Sequence, residues 1–241
     1  MSKFLNDIVL NKITVEEGLQ RLLVIANRTN NKEVASWCMK ELNGYEKLEE
    51  LPDYRKIENL RIVYSGINGK FQVNNASITP GFLSKETLSK IKIVGIFENV
   101  AKIEENKTSK ETFYIDLTWL AGEVYKNTNK GFGGVNCTSI RQEIPSNVYS
   151  SVYSNVKTRV INLLCSYESA QIDIDKLDIK EEQIRDIESK SKEIYETIII
   201  EGKLYTFAPK EKKIIWRILV PIIIGVASGL LVYLITKLLA K

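Results

Sequence analysis

The sequence predicts an α+β fold: an N-terminal helical bundle with a small antiparallel sheet, long C-terminal helices, and one C-terminal transmembrane helix. Three observations carry this expectation. Apolar residues recur at three- and four-residue spacing near both ends of residues 1–170. Asn68-Gly69 lies between two strand-like runs, a good two-residue hairpin turn. Residues 218–236 read ILVPIIIGVASGLLVYLIT without a charge, and a bilayer core takes about 20 apolar residues as helix.

Phe4, Leu5, Ile8 and Val9 give a short first helical face. Thr14 and Glu17 have the spacing of a capping box, where each satisfies a backbone donor of the other. It opens a helix carrying Leu19, Leu22, Leu23, Ile25 and Ala26. A third helix runs from about Asn31 to Asn43 with Val34, Trp37, Cys38 and Leu42 on its apolar side, and Gly44 stands where a left-handed cap is expected. Pro52 makes Leu51–Arg55 extended or a turn. Ile57–Gly66 reads as a strand, and Phe71, Val73 and Asn75 continue on its return. Ser84–Glu105 looks helical, Ile115–Lys126 fits helix or strand, Lys130–Gly134 is a loop, and Val135–Glu143 reads as a strand.

A strong amphipathic helix follows from about Asn147 to Ala170, with Val152, Val156, Val160, Ile161, Leu164 and Tyr167 on one face. Ile179–Ile200 reads as a second long helix, dense in charge, with Ile184, Ile187, Ser191 and Ile194 as a coiled-coil seam. Residues 171–209 are therefore expected as a charged helical stalk and linker, with Lys203–Phe207 as a short strand. Residues 210–217 are basic and precede the apolar run. Trp216 and Tyr233 sit near its ends, where amphipathic rings favour headgroups. The basic N-terminal flank predicts a single pass through the inner membrane with residues 1–170 in the cytoplasm. Gly225 and Gly229 form GxxxG, a spacing that lets two helices approach, so helix association through this face is one expectation.

Charge and cysteine content narrow the function classes. The net charge of +4 comes largely from the flanks of the apolar run. No basic stripe with interleaved aromatics appears, so nucleic acid is not an expected partner. The three cysteines, Cys38, Cys137 and Cys165, have neither disulfide-framework nor metal spacing, which fits a reducing compartment. The first residues, MSKFLNDIVL, lack the apolar core of a signal peptide.

The chain contains no histidine. That removes the usual general base, the Ser-His and Cys-His nucleophile pairs, and the commonest metal ligand. No phosphate loop, dinucleotide fingerprint or nucleophile elbow is present. Gly131–Gly134 lacks the Lys-Ser/Thr of a phosphate cradle. Asp173, Asp175 and Asp178 fail as a calcium loop, because Leu177 occupies a ligand position and no glycine follows it. No catalytic residue, metal or cofactor is expected.

One pattern is more specific. After two helices with an LLVIANRTNN-type end come Trp37-Cys-Met-Lys-Glu41-Leu42-Asn43-Gly44-Tyr45 and then Leu51-Pro52-Asp53-Tyr54-Arg55. This order resembles the AbiTii domain of bacterial abortive-infection systems, and Val156–Leu164 looks like that domain's closing helix. The likeness covers about residues 1–168. It implies a role in stopping an infected cell from supporting phage, and it supplies no reaction. The motif residues Trp37, Glu41, Asn43, Gly44, Tyr45, Pro52, Tyr54 and Arg55 have two readings. They can build a corner, with Arg55 paired to Glu41, or they can form a binding site.

The expected function is a membrane-anchored abortive-infection effector that disturbs the inner membrane as its anchors cluster. A membrane-tethered sensor that recruits a partner, and a membrane-held enzyme, are the alternatives. Expected partners are the lipid bilayer, a second copy of the chain, and a phage or host trigger.

Overall fold

In a computed structural model of the chain, residues 2–78, 81, 83–127 and 134–207 are described. Met1–Tyr205 forms one compact unit. Of a second unit, Thr206–Lys241, only Thr206 and Phe207 are described.

Helices α1 (Lys3–Val9), α2 (Val15–Arg28) and α3 (Lys32–Asn43) open the chain. The capping box is formed: the Thr14 amide donates to Glu17 Oε2 at 2.7 Å, and the Glu17 amide donates to Thr14 Oγ1 at 3.1 Å. Asn31 caps α3 by accepting from the Val34 amide at 3.2 Å. Two 3-10 turns, Leu48–Glu50 and Asp53–Arg55, lead into β1 (Lys56–Glu58) and the hairpin β2 (Ile62–Asn68) and β3 (Phe71–Ser77). Asn68 pairs with Phe71, so the two-residue loop is Gly69-Lys70, one position later than the sequence predicts.

The span expected to be helical from Ser84 to Glu105 is instead α4 (Lys85–Ile91), β4 (Ile93–Gly95) and α5 (Val100–Thr108). Its interruption is the β-branched run Ile93-Val94, which pairs antiparallel with β1. The ambiguous Ile115–Lys126 resolves into β5 (Phe113–Asp116), a 3-10 turn and α6 (Ala121–Asn127). Strand β6 (Asn136–Ile144) and helix α7 (Ser146–Ser169) follow.

The main sheet is antiparallel in the order β3-β2-β6-β5. Ile140 of β6, Ile91 of α4, Leu120 of the 3-10 turn before α6 and Val124 of α6 pack into one apolar cluster on it. The helical core is separate. Helix α7 packs on α1, α2 and α5, and α2 packs on α3, burying Leu19, Leu22, Ile103, Val156, Val160 and Leu164.

Further expectations are corrected. No helix among the described residues is long and apolar enough to cross a membrane. The fold is α+β with a small antiparallel sheet and no spanning helix in that part. The longest described helix, α7, has 24 residues and is amphipathic, carrying Lys157, Arg159 and Glu168. Residues 218–236, with Gly225 and Gly229, lie outside the described residues, as does most of the Lys130–Gly134 loop. Another correction concerns Ile179–Ile200, which is not one long helix. It is α8 (Glu181–Ser189), α9 (Ser191–Ile194) and a π-helical turn, Tyr195–Ile200. Ile187, Ile194, Ile198 and Ile199 are buried, and this segment packs on α3 and α7. Lys203–Phe207 forms no strand.

Candidate functional site

On α3 the buried stripe is Val34, Trp37, Cys38 and Glu41. That spacing of three, four and seven continues an apolar face and ends it on a carboxylate. Leu42, the residue expected on this face, is only half-buried. Gly44 then turns the chain with φ +91°. A Cβ there would stand 2.8 Å from the Phe97 carbonyl oxygen, so glycine is required both by conformation and by space. The next amide, Tyr45, donates to that same carbonyl at 2.9 Å.

Pro52 begins the second 3-10 turn, and its carbonyl accepts from the Arg55 amide at 2.9 Å. This turn carries Tyr54 and Arg55 back against α3. The pairing of Arg55 with Glu41 anticipated from the sequence is present. Arg55 Nη2 donates to Glu41 Oε2 at 2.6 Å, and Arg55 Nε donates to Oε1 at 3.2 Å. Both side chains have 0 % exposure. The Tyr45 and Tyr54 hydroxyls donate to Glu41 Oε1 at 2.8 and 2.6 Å. Trp37 Nε1 donates to the Tyr54 oxygen at 2.9 Å. Arg55 Nη1 reaches the carbonyls of Ile96 and Glu98, each at 2.8 Å. The Arg55 guanidinium also lies 4.9 Å from the Tyr45 ring centre.

Six of the eight motif residues thus meet at one corner: Trp37, Glu41, Gly44, Tyr45, Tyr54 and Arg55. Pro52 shapes the turn. Asn43 is exposed and takes no part. Asp53, between them, is exposed and paired to Lys56 at 3.2 Å.

The electrostatics favour holding over reacting. Burial, then the charge of Glu41, pushes both phenol pKa values far above their ordinary range. Burial works against the charge on Arg55, but the Glu41 carboxylate outweighs it and leaves the guanidinium above its ordinary value. The carboxylate therefore faces four donors, and the tyrosines stay protonated. Three of these donors crowd Oε1 and one holds Oε2, and no part of the carboxylate side chain is exposed to a substrate. Among the described residues, no group of three or more potential ligands could hold a metal.

Beside this corner lies an open cleft of about 540 Å³, walled by Trp37, Lys40 and Tyr45 on one side and by Glu49, Glu50 and Tyr195 on others. Lys40 and Glu50 pair across it at 3.4 Å. No motif in the sequence marks this cleft, nor the buried Arg159 of α7, whose guanidinium stacks 4.1 Å from the Tyr54 ring centre. A signal for Arg159 existed: it falls on the apolar stripe of α7, between Val156 and Val160.

A family model described as AbiTii matches residues 1–193, and the chain belongs to that family. Membership suggests a bacterial abortive-infection, anti-phage role. No curated protein and no solved structure matches.

Proposed function

We propose that this AbiTii chain serves abortive infection as a binding module, with the Glu41–Arg55 corner as scaffold and the neighbouring cleft as recognition surface. The observation that carries the reading is the enclosure of Glu41. Its carboxylate accepts from Arg55, Tyr45 and Tyr54 with no exposure to solvent. A group so enclosed makes a poor general base and a good hinge-pin for the surface built on it.

The occupant that suits the cleft is a protein segment. The buried Trp37 and Tyr45 back the cleft and the half-buried Tyr195 borders it, which gives a rigid apolar surface at low entropic cost. Lysines and glutamates on the rim supply both signs of charge, which select among sequences more than they add affinity. The segment belongs to the phage or host component that signals infection.

The test is a phage challenge of bacteria expressing the chain. Ser36, exposed on α3, also lines the cleft, so Ser36→Arg and the pair Glu49→Lys/Glu50→Lys alter cleft residues that make no contact in the corner's hydrogen-bond set. Plaque counts should rise at least tenfold over the unaltered chain, with expression and Tm unchanged. Full protection by both variants would refute the cleft as the recognition surface.

A further inference from the structure

Arg159 is a second buried guanidinium, and no carboxylate neutralises it. It projects from the middle of α7 with 6 % of its surface exposed. Nε donates to the Ile199 carbonyl at 2.8 Å. Nη1 donates to the Asn155 carbonyl at 3.2 Å and to Asn155 Oδ1 at 3.0 Å. These partners are neutral, as is the Tyr54 ring beneath. None of the ion pairs among the described residues includes it. Glu41, the carboxylate of the adjoining corner, is already held by Arg55. The two guanidiniums and one carboxylate of the corner leave positive charge on Arg159 to face the cavity beside it.

A surplus of this kind is costly. An uncompensated buried ion loses several kcal/mol of hydration, and arginine cannot escape by losing its proton. The remaining nitrogen, Nη2, has no acceptor among the described residues. It lies against Gly202, where a Cβ would stand 3.3 Å from it and where φ is +73°. Arg159 and Gly202 together line an open cavity of about 250 Å³ between α7 and the end of the π-helical turn. Ser154 stands on the rim, and Glu201 also lines the cavity but pairs with Lys203 at 2.9 Å.

We propose that this cavity is an anion site that takes one phosphoryl group, with Arg159 Nη2 as its charged donor and the Ser154 hydroxyl as a rim donor. The guanidinium fork is already spent on neutral partners, so the free Nη2 and the Ser154 hydroxyl act as two separate donors, and a phosphoryl group brings more oxygens and more charge to them than a carboxylate does. A tetrahedral anion can put one oxygen on Nη2, a second on Ser154 and leave the others in water. The shared chemistry fits inorganic phosphate and the phosphate of a nucleotide alike.

The experiment is a titration of the full chain with inorganic phosphate, with adenosine monophosphate, and with chloride at matched ionic strength, followed by Tm and by calorimetry. Phosphate should raise Tm saturably, and chloride should not. Thr158→Glu places a carboxylate on an exposed position of the cavity wall and should abolish the phosphate response while folding normally. Arg159→Gln should abolish it too, and the Thr158→Glu arm decides the matter if Arg159→Gln fails to fold. A tenfold lower half-saturation for the nucleotide assigns the site to nucleotides, and equal values assign it to free phosphate. A Tm rise equal to that in chloride, or one that survives in Thr158→Glu, overturns the proposal.

Discussion

Glu41→Gln is the sharpest probe of the corner. The amide keeps the shape and removes the charge that Arg55, Tyr45 and Tyr54 all address. Arg55 then remains buried at 0 % exposure facing only neutral acceptors, the amide oxygen and the Ile96 and Glu98 carbonyls. Removing one partner of such a pair costs about 3–5 kcal/mol, a large share of the roughly 5–15 kcal/mol that a domain holds. For a domain of this size each kcal/mol lowers Tm by about 2–4 °C, so a fall of about 6–20 °C is expected. Arg55→Met should cost a similar amount, because it strands the carboxylate and two carbonyls. The double variant should be far less damaged than the sum, since neither charge is then left alone. Its recovery stays incomplete because the two carbonyls still lack a donor. The assay is urea unfolding of the four chains followed by circular dichroism. A Glu41→Gln loss below about 1 kcal/mol, or additivity within about 0.5 kcal/mol, would refute the claim that this pair pins the corner.

Three further outcomes follow from the same geometry. Gly44→Ala should destabilise by about 1–3 kcal/mol, from the positive φ and from the 2.8 Å approach to the Phe97 carbonyl. Gly69→Ala, with φ +55° and open space around it, should cost about 1 kcal/mol, and chemical denaturation compares the two. Stability should fall as pH rises above about 10, the phenol value in the unfolded chain. Tyr45, Tyr54, Tyr153 and Tyr167 are raised in the folded state by burial, and Tyr149 is raised to about 12. The unfolded chain therefore sheds protons first, and stability present below pH 10 is lost as pH climbs, by up to about 1.4 kcal/mol per unit for each tyrosine. A flat Tm from pH 9 to 11 would contradict this. Finally, burial and the nearby Glu41 hold the Cys38 thiol far above its ordinary pKa, so native-state alkylation at pH 8 should modify Cys137 and Cys165 and spare Cys38, as peptide mapping would show.

What was legible in the sequence was local. The Thr14–Glu17 box, the α7 stripe and the hairpin each depend on residues within a few positions, and each is present, the hairpin turn with a shift of one residue. The partner of a strand is not local. Ile93 and Val94 look like a pause in a helix until β1, with Ile57 opposite Val94, is placed beside them. The corner was half legible: Glu41 and Arg55 carry opposite charge at a spacing a turn can close. Full burial of that pair depends on Ile96 and Glu98 carbonyls contributed from beyond β4, which no spacing rule announces.

The charged segment 179–200 shows why period alone misled. Ile184, Ile187, Ser191 and Ile194 satisfy a heptad seam, and a seam asks only for an apolar partner. In isolation that partner is a second copy, hence a stalk. Here α3 and α7 of the same chain supply it, and the geometry of those helices differs from that of a coiled-coil mate. A straight helix would drift off them within a few turns. The break at Lys190 and the π-helical turn at Tyr195–Ile200 correct that drift. They keep Ile187, Ile194, Ile198 and Ile199 buried. The same turn brings Tyr195 to the cleft and the Ile199 carbonyl to Arg159. A segment that follows the family's motifs in sequence therefore completes both openings beside them, and substitutions in 195–202 belong with those of the corner in any functional screen.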